Sequence, residues 1–223
     1  VCLRCDGAEP GEGERTVEDC VKIAKEVAAA IDIPLVIAGC KNSQKDAQIF
    51  EKVAEALSGR NVLFLSAKEE NHKTVGASVG LAYSQKVGAE SSVDINLAKQ
   101  LNVLLTQLGV AKENIIMNLG SAAAGYGFEY VASTIERVKL AALAQGDAML
   151  QMPVVTPVAS ETWSVKEALI SEDDMPEWGN QEQRGIQMEI VTAAACLAAG
   201  SDAVILKHPA SVATISAMVA ALM

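Results

Sequence analysis

Val87-Gly-Ala-Glu-Ser91, Leu97-Ala-Lys-Gln-Leu101-Asn-Val-Leu104-Leu105-Thr-Gln-Leu108-Gly109 and Ile115-Ile-Met-Asn118 follow one another closely along the chain. The first and third are short apolar runs with the look of buried strands. The leucines between them trace one face of a helix that Gly109 ends. Strand, helix, strand in that order is one unit of a parallel sheet. Outward from this unit the same rhythm gives seven strands, at 1–5, 35–39, 62–66, 87–91, 115–118, 149–155 and 203–206. The first five starts lie 25 to 34 residues apart.

The intervening helices have starts and faces. Thr16 with Asp19 resembles a capping box, and Val17, Cys20, Val21, Ala24, Val27, Ala28 and Ile31 form the stripe behind it. Phe50, Val53, Ala54 and Leu57 mark a second helix; Val131, Ile135, Val138 and Ala142 another; Ile186, Ile190, Ala194 and Leu197 another, stopped by Gly200. Val212, Ile215, Val219 and Leu222 mark the last, which carries no charge from Pro209 to Met223. With Ala213, Ser216, Ala217 and Ala220 on its other side, that helix is expected to be covered there by chain missing from this sequence or by a partner subunit. The fold expected is α/β, a TIM (β/α)8 barrel lacking its first strand, as a single domain over 1–223. No Gly-x-Gly-x-x-Gly follows any strand, which argues against a dinucleotide-binding sheet. One connection, 156–181, breaks the rhythm as a long insertion and holds both tryptophans, Trp163 and Trp178. It is expected to be a functional lid or a mobile insertion, or a loop that the two tryptophans pin to the body.

Of 223 residues, 50% are hydrophobic, enough for a sizeable core. Lys plus Arg is 18 and Asp plus Glu 28, and the net charge of −10 disfavours nucleic acid and anionic membranes as partners. No apolar run approaches the ~20 residues of a membrane span. Five cysteines without regular spacing, and a start unlike a signal peptide, suggest reduced thiols in the cytoplasm. Val1 in place of Met suggests a fragment.

In a barrel the chemistry sits at the C-terminal ends of the strands. The residues there are mostly amides, hydroxyls and carboxylates: Ser66, Glu90, Asp94, Asn96, Asn118, Ser121, Thr156 and Glu161 among them. With only His72 and His208 in the chain, a catalytic zinc site is not expected. The only lysine placed at a strand end is Lys207, read as a solvated loop residue rather than a Schiff-base amine. Gly7, Gly11 and Gly13 are interleaved with acids that repel phosphate, so the segment from Gly7 to Glu14 reads as a flexible turn. Cys2 and Cys5, three apart on a strand, point to opposite faces and do not form a chelate. Asn118, ahead of the turn Gly125-Tyr126-Gly127, holds an amide where it can both donate and accept, or tie down its own loop.

Ser91 to Asn102, Gly125-Tyr126-Gly127 with Glu129-Tyr130 and Glu136-Arg137, Met152-Pro153, Glu161-Thr-Trp163 with Lys166-Glu167-Ala168, Pro176-Glu-Trp-Gly179 with Arg184-Gly185, and Lys207-His208-Pro209 together resemble one family. That family is the small subunits of corrinoid iron–sulfur proteins, the delta subunits of acetyl-CoA decarbonylase/synthase. The resemblance runs from Arg4 to Pro209 and implies a TIM barrel similar to the pterin-binding methyltransferases, in the anaerobic reductive acetyl-CoA pathway. It implies a large-subunit partner that alone holds the iron–sulfur cluster. It also implies a cobalamin shared between that subunit and the mouth of this barrel. Methyl groups would arrive from methyltetrahydrofolate through a methyltransferase and leave to acetyl-CoA synthase. No catalytic residue and no metal ligand is implied in this chain. Ser66, Asp94, Asn96, Asn118, Ser121, Gly125, Tyr126, Gly127, Thr156 and Glu161 are the residues expected to face the corrinoid. Neutral amides and hydroxyls suit corrin side chains, and the cysteines lack cluster spacing. Where many relatives carry Asp-Pro, this chain has Asn118-Leu119, which argues against an acid or base there. The alternatives are a free-standing pterin-binding methyltransferase, with Asn96 and Asn118 on the ring and Asp94 as its acid, and a plain scaffolding barrel.

Overall fold

The computed structural model describes residues 1–11 and 13–223. They form two compact units, Val1–Ser91 with Asn96–Asn118 and Ala148–Met152, and Ser92–Ile95 with Leu119–Asp147 and Pro153–Met223.

The first unit carries a five-stranded parallel sheet, β1 (Cys2–Arg4), β2 (Leu35–Ala38), β3 (Val62–Ala67), β4 (Lys86–Glu90) and β5 (Ile115–Asn118), paired in chain order. Its register sets Ile37 beside Phe64, Phe64 beside Val87, and Val87 beside Ile115. All four are fully buried. Strands of this kind read as apolar runs instead of alternating patterns, which is why the sequence locates them. Helix α1 (Val17–Ala30) starts on the expected capping box: Thr16 Oγ1 accepts from the Asp19 N–H at 3.1 Å, and Asp19 Oδ2 accepts from the Thr16 N–H at 2.9 Å. Helix α2 (Ser43–Ala56) is capped by Asn42. Helix α3 (His72–Val75) runs on as a π-helical segment, Gly76–Ala82, and α4 (Ile95–Gln107) follows β4. Gly76 lets that segment lie directly on Leu105 and Leu108, and Gly80 on Val110 and Val87, side chains that a Cβ at each position would crowd. Of the turn from Gly7 to Glu14, Glu12 lies outside the described residues; Asp6–Ala8 is a 3-10 turn.

The second unit holds a pair of parallel strands, β6 (Val155–Thr156) and β7 (Ala203–Val204). Around them lie α5 (Phe128–Ala144), α6 (Val158–Thr162), α7 (Lys166–Leu169), α8 (Gln181–Ala199) and α9 (Pro209–Leu222). The segment 156–181 thus contains α6, α7 and the 3-10 turn Pro176–Trp178. Val158, Ala193, Cys196 and Ile215 form a core cluster here.

Two expectations are corrected. The sixth strand is shorter than 149–155. Pro153 has no N–H for a ladder, and the Met149 carbonyl accepts from Asn102 Nδ2 at 2.7 Å. Helix α9 also turns a different face inward: Ser211 and Ile215 are buried and Met218 packs beside them, whereas Val212, Val219 and Leu222 are exposed. A helix apolar on every side gives periodicity no face to select. No helix among the described residues is long and apolar enough to cross a membrane.

Candidate functional site

In the first unit the ends of β3, β4 and β5 bring Ser66, Glu90 and Asn118 together. Glu90 and Asn118 are register partners across β4 and β5. Asn118 Nδ2 donates to Ser66 Oγ at 2.9 Å and to Glu90 Oε2 at 3.4 Å, and both Ser66 and Asn118 are buried. The other Glu90 oxygen pairs with Lys68 Nζ at 3.4 Å. Lys68 corrects the sequence reading, since it directly follows β3 and is itself a lysine at a strand end. Its backbone is fixed by Asn71, whose Oδ1 accepts from the Lys68 N–H at 2.7 Å and whose Nδ2 donates to the Ser43 carbonyl. The signal for it was the abrupt charge after the run 62–67.

Asp46, in the first turn of α2, is buried and accepts from the Cys40 N–H at 2.6 Å. Burial pushes its carboxyl above the ordinary carboxylate value; the Cys40 hydrogen bonds and the Lys68 charge partly oppose this. A carboxyl with a raised folded value stabilises the fold at low pH, and that contribution is lost as pH climbs through the folded value. Asp46→Asn should therefore gain stability relative to the parent as pH rises above the ordinary carboxylate value of about 4, as urea unfolding at several pH values would show. A difference independent of pH would refute this.

Asn96 lies exposed in the first turn of α4. The thiols of this unit are not arranged as a chelate. Cys5 and Cys20 are both buried, and burial raises both thiols; Cys2, also desolvated, is pushed up to about 11. Among the described residues no group of three or more His, Cys, Asp or Glu is placed to hold a metal ion.

In the second unit Gly125 and Gly127 take positive φ, +84° and +88°, and frame the exposed Tyr126. Such backbone is open to glycine at little cost. The Tyr126 hydroxyl donates to Glu167 Oε2 at 2.6 Å, which holds the Glu167 carboxyl below its ordinary range and raises the phenol. Tyr126 and Glu161 line one cleft of about 360 Å³ with Ala122, Ala123, Ser164 and Lys166. Ser121 Oγ is buried without a protein partner. Asp94 is exposed. Thr156 lies in the interior, its hydroxyl 2.9 Å from Ser201 Oγ.

The sequence did not single out the cluster around Trp163. Its ring stacks on His208 at 5.9 Å between centroids, with Lys207 Nζ 4.9 Å above it. The buried Glu189 accepts from the backbone N–H groups of Lys207 at 2.6 Å and His208 at 3.1 Å. Lys207 is exposed, as expected, and its ammonium faces an aromatic ring.

A family model described as CO dehydrogenase/acetyl-CoA synthase delta subunit matches residues 1–218. Over 221 residues the chain is 35% identical to acetyl-CoA decarbonylase/synthase complex subunit delta 1 of Methanosarcina thermophila, covering 96% of this chain and 50% of that protein. Over 212 residues it is 36% identical to the delta subunit of Methanosarcina mazei, covering 92% and 46%. The chain thus spans about half the length of the curated relatives it matches. Among solved structures it is similar to Yersinia pestis dihydropteroate synthase with a pterine-sulfa conjugate, at a TM-score of 0.60 and 13% identity, over 100% of this chain and 82% of that one. That neighbour is a TIM barrel, and the α/β fold of this chain is of the same kind.

Proposed function

The chain belongs to the CO dehydrogenase/acetyl-CoA synthase delta subunit family, and from this we propose that it is the non-catalytic small subunit of a corrinoid iron–sulfur methyl carrier. In this reading it caps a cobalamin that it shares with the large subunit, which alone holds the iron–sulfur cluster. The methyl group comes from methyltetrahydrofolate through a methyltransferase and goes to acetyl-CoA synthase. The supporting observation is the character of the exposed strand-end groups. In the second unit Tyr126, Glu161 and Ser164 line an open cleft at a turn held by two positive-φ glycines. In the first, Asn96 is exposed. Amide, hydroxyl and carboxylate groups suit the amide side chains of a corrin, and none is needed as a ligand to cobalt. The buried Ser66, Asn118 and Thr156 support the strand ends from within. Bound cobalamin would supply a cobalt centre that accepts and gives up a methyl group; the part of this chain is to bind its periphery and exclude water.

The reading makes the isolated chain poor in metal. Purified alone, it should carry far less than one equivalent of iron or cobalt, whereas co-expression with the large subunit should yield a brown-red heterodimer. Stoichiometric iron or cobalt in the lone chain would overturn the proposal.

A second reading rests on the Ser66, Asn118, Glu90 and Lys68 cluster, whose donors and acceptors also suit the edge of a pterin. Methyl transfer from methyltetrahydrofolate to free cobalamin by this chain alone would favour it.

A further inference from the structure

Two consecutive residues after β4, Ser92 and Val93, adopt left-handed backbone at φ +47° and φ +62°. For a β-branched residue this is a genuine outlier, which glycine or asparagine would occupy with little strain. The turn is fixed by its surroundings. The Val93 N–H donates to the Leu119 carbonyl at 2.8 Å, and the Val93 carbonyl accepts from Thr134 Oγ1 at 3.2 Å. Gly120, itself at φ +91°, packs beside the turn, where a Cβ would be in ordinary van der Waals contact with Ser92 Cα and the Val93 nitrogen, 3.5 Å from each. Val93 is nonetheless 41% exposed. Its own burial therefore offsets only part of the strain, and a polar or glycine residue would serve the turn better.

We infer that Val93 is a contact residue, held out of a strained strand-end turn to meet an apolar face of the bound group. An apolar side chain at such a position makes sense if its burial is completed by a ligand. The inference rests on the corrinoid reading and deepens it: the face met is the methyl-bearing, non-hydrogen-bonding periphery of the macrocycle, complementary to the polar groups that meet its amides.

The test compares Val93→Asn, which tolerates left-handed backbone and removes the apolar surface, with Val93→Ile, which retains both the strain and the surface. In urea unfolding of the chain itself, Val93→Asn should raise the folding equilibrium constant by about 5- to 30-fold, and Val93→Ile should leave it near the parent value. Association is then measured with the large subunit, once loaded with cobalamin and once stripped of it. The parent and Val93→Ile should bind the loaded partner more tightly; Val93→Asn should lose about 10-fold of that corrinoid-dependent gain and match the parent on the stripped partner. If the parent shows no preference for the loaded partner, the corrinoid reading fails. If the parent shows it and Val93→Asn keeps it in full, the contact is refuted and the reading stands. A Val93→Asn chain no more stable than the parent would remove the strain on which the inference is built.

Discussion

Replacing Glu189 by alanine is expected to cost about 3–5 kcal/mol of stability, read as a lower midpoint in urea at unchanged slope. The carboxylate is fully buried in α8 and accepts from two backbone N–H groups, those of Lys207 and His208. Two donors left without an acceptor cost about 1–3 kcal/mol each, and the cavity adds to this. Glu189→Gln keeps one acceptor but turns an NH₂ toward the other donor, so about half the loss should remain. A surface-like loss of under about 0.5 kcal/mol would show that the two N–H groups find water instead.

Gly39→Ala should be of similar size in the first unit, about 3–5 kcal/mol, although the change is a single methyl group. A Cβ at Gly39 would stand 2.3 Å from Asp46 Cγ and 2.4 Å from both carboxylate oxygens. The carboxyl cannot retreat without releasing the Cys40 N–H, to which it is bonded at 2.6 Å. Overpacking and a broken buried hydrogen bond therefore act together. The coupling is checkable, because in an Asp46→Ala background the added methyl group finds room. The double variant should then cost little more than Asp46→Ala alone, and strict additivity would exclude the steric account.

The sequence carries the strands of the first unit to within one or two residues because burial on both faces leaves unbroken apolar runs such as 62–67. Its helix starts are legible where a side chain bonds the backbone locally, as Thr16 does with Asp19. It hides the segment 76–82, where Gly76 and Gly80 make the contact by having no side chain to form a stripe. It misleads at 149–155, where alternately buried Leu150, Met152 and Val154 resemble a strand while the Met149 carbonyl is taken by Asn102, 47 residues earlier. Strand-end polarity at the site was visible, but pairings across long separations were not. Asn118 and Ser66 are 52 residues apart in the chain and 2.9 Å apart in space. Lys68 was missed because moving the end of β3 by a single residue decides whether it counts as strand-end or loop.

Both tryptophans of the chain lie in the second unit, Trp163 beside His208 and Lys207, and Trp178 flanked by Lys166 and Arg184. Nature has thereby labelled one unit and left the other dark: indole emission follows the second unit alone, while far-ultraviolet circular dichroism sums the helices of both. If the chain melts as one cooperative body, the two optical signals superimpose at every temperature. If each unit melts by itself, the emission curve isolates the half that carries the Tyr126 cleft, and subtraction leaves the half that carries Asn118.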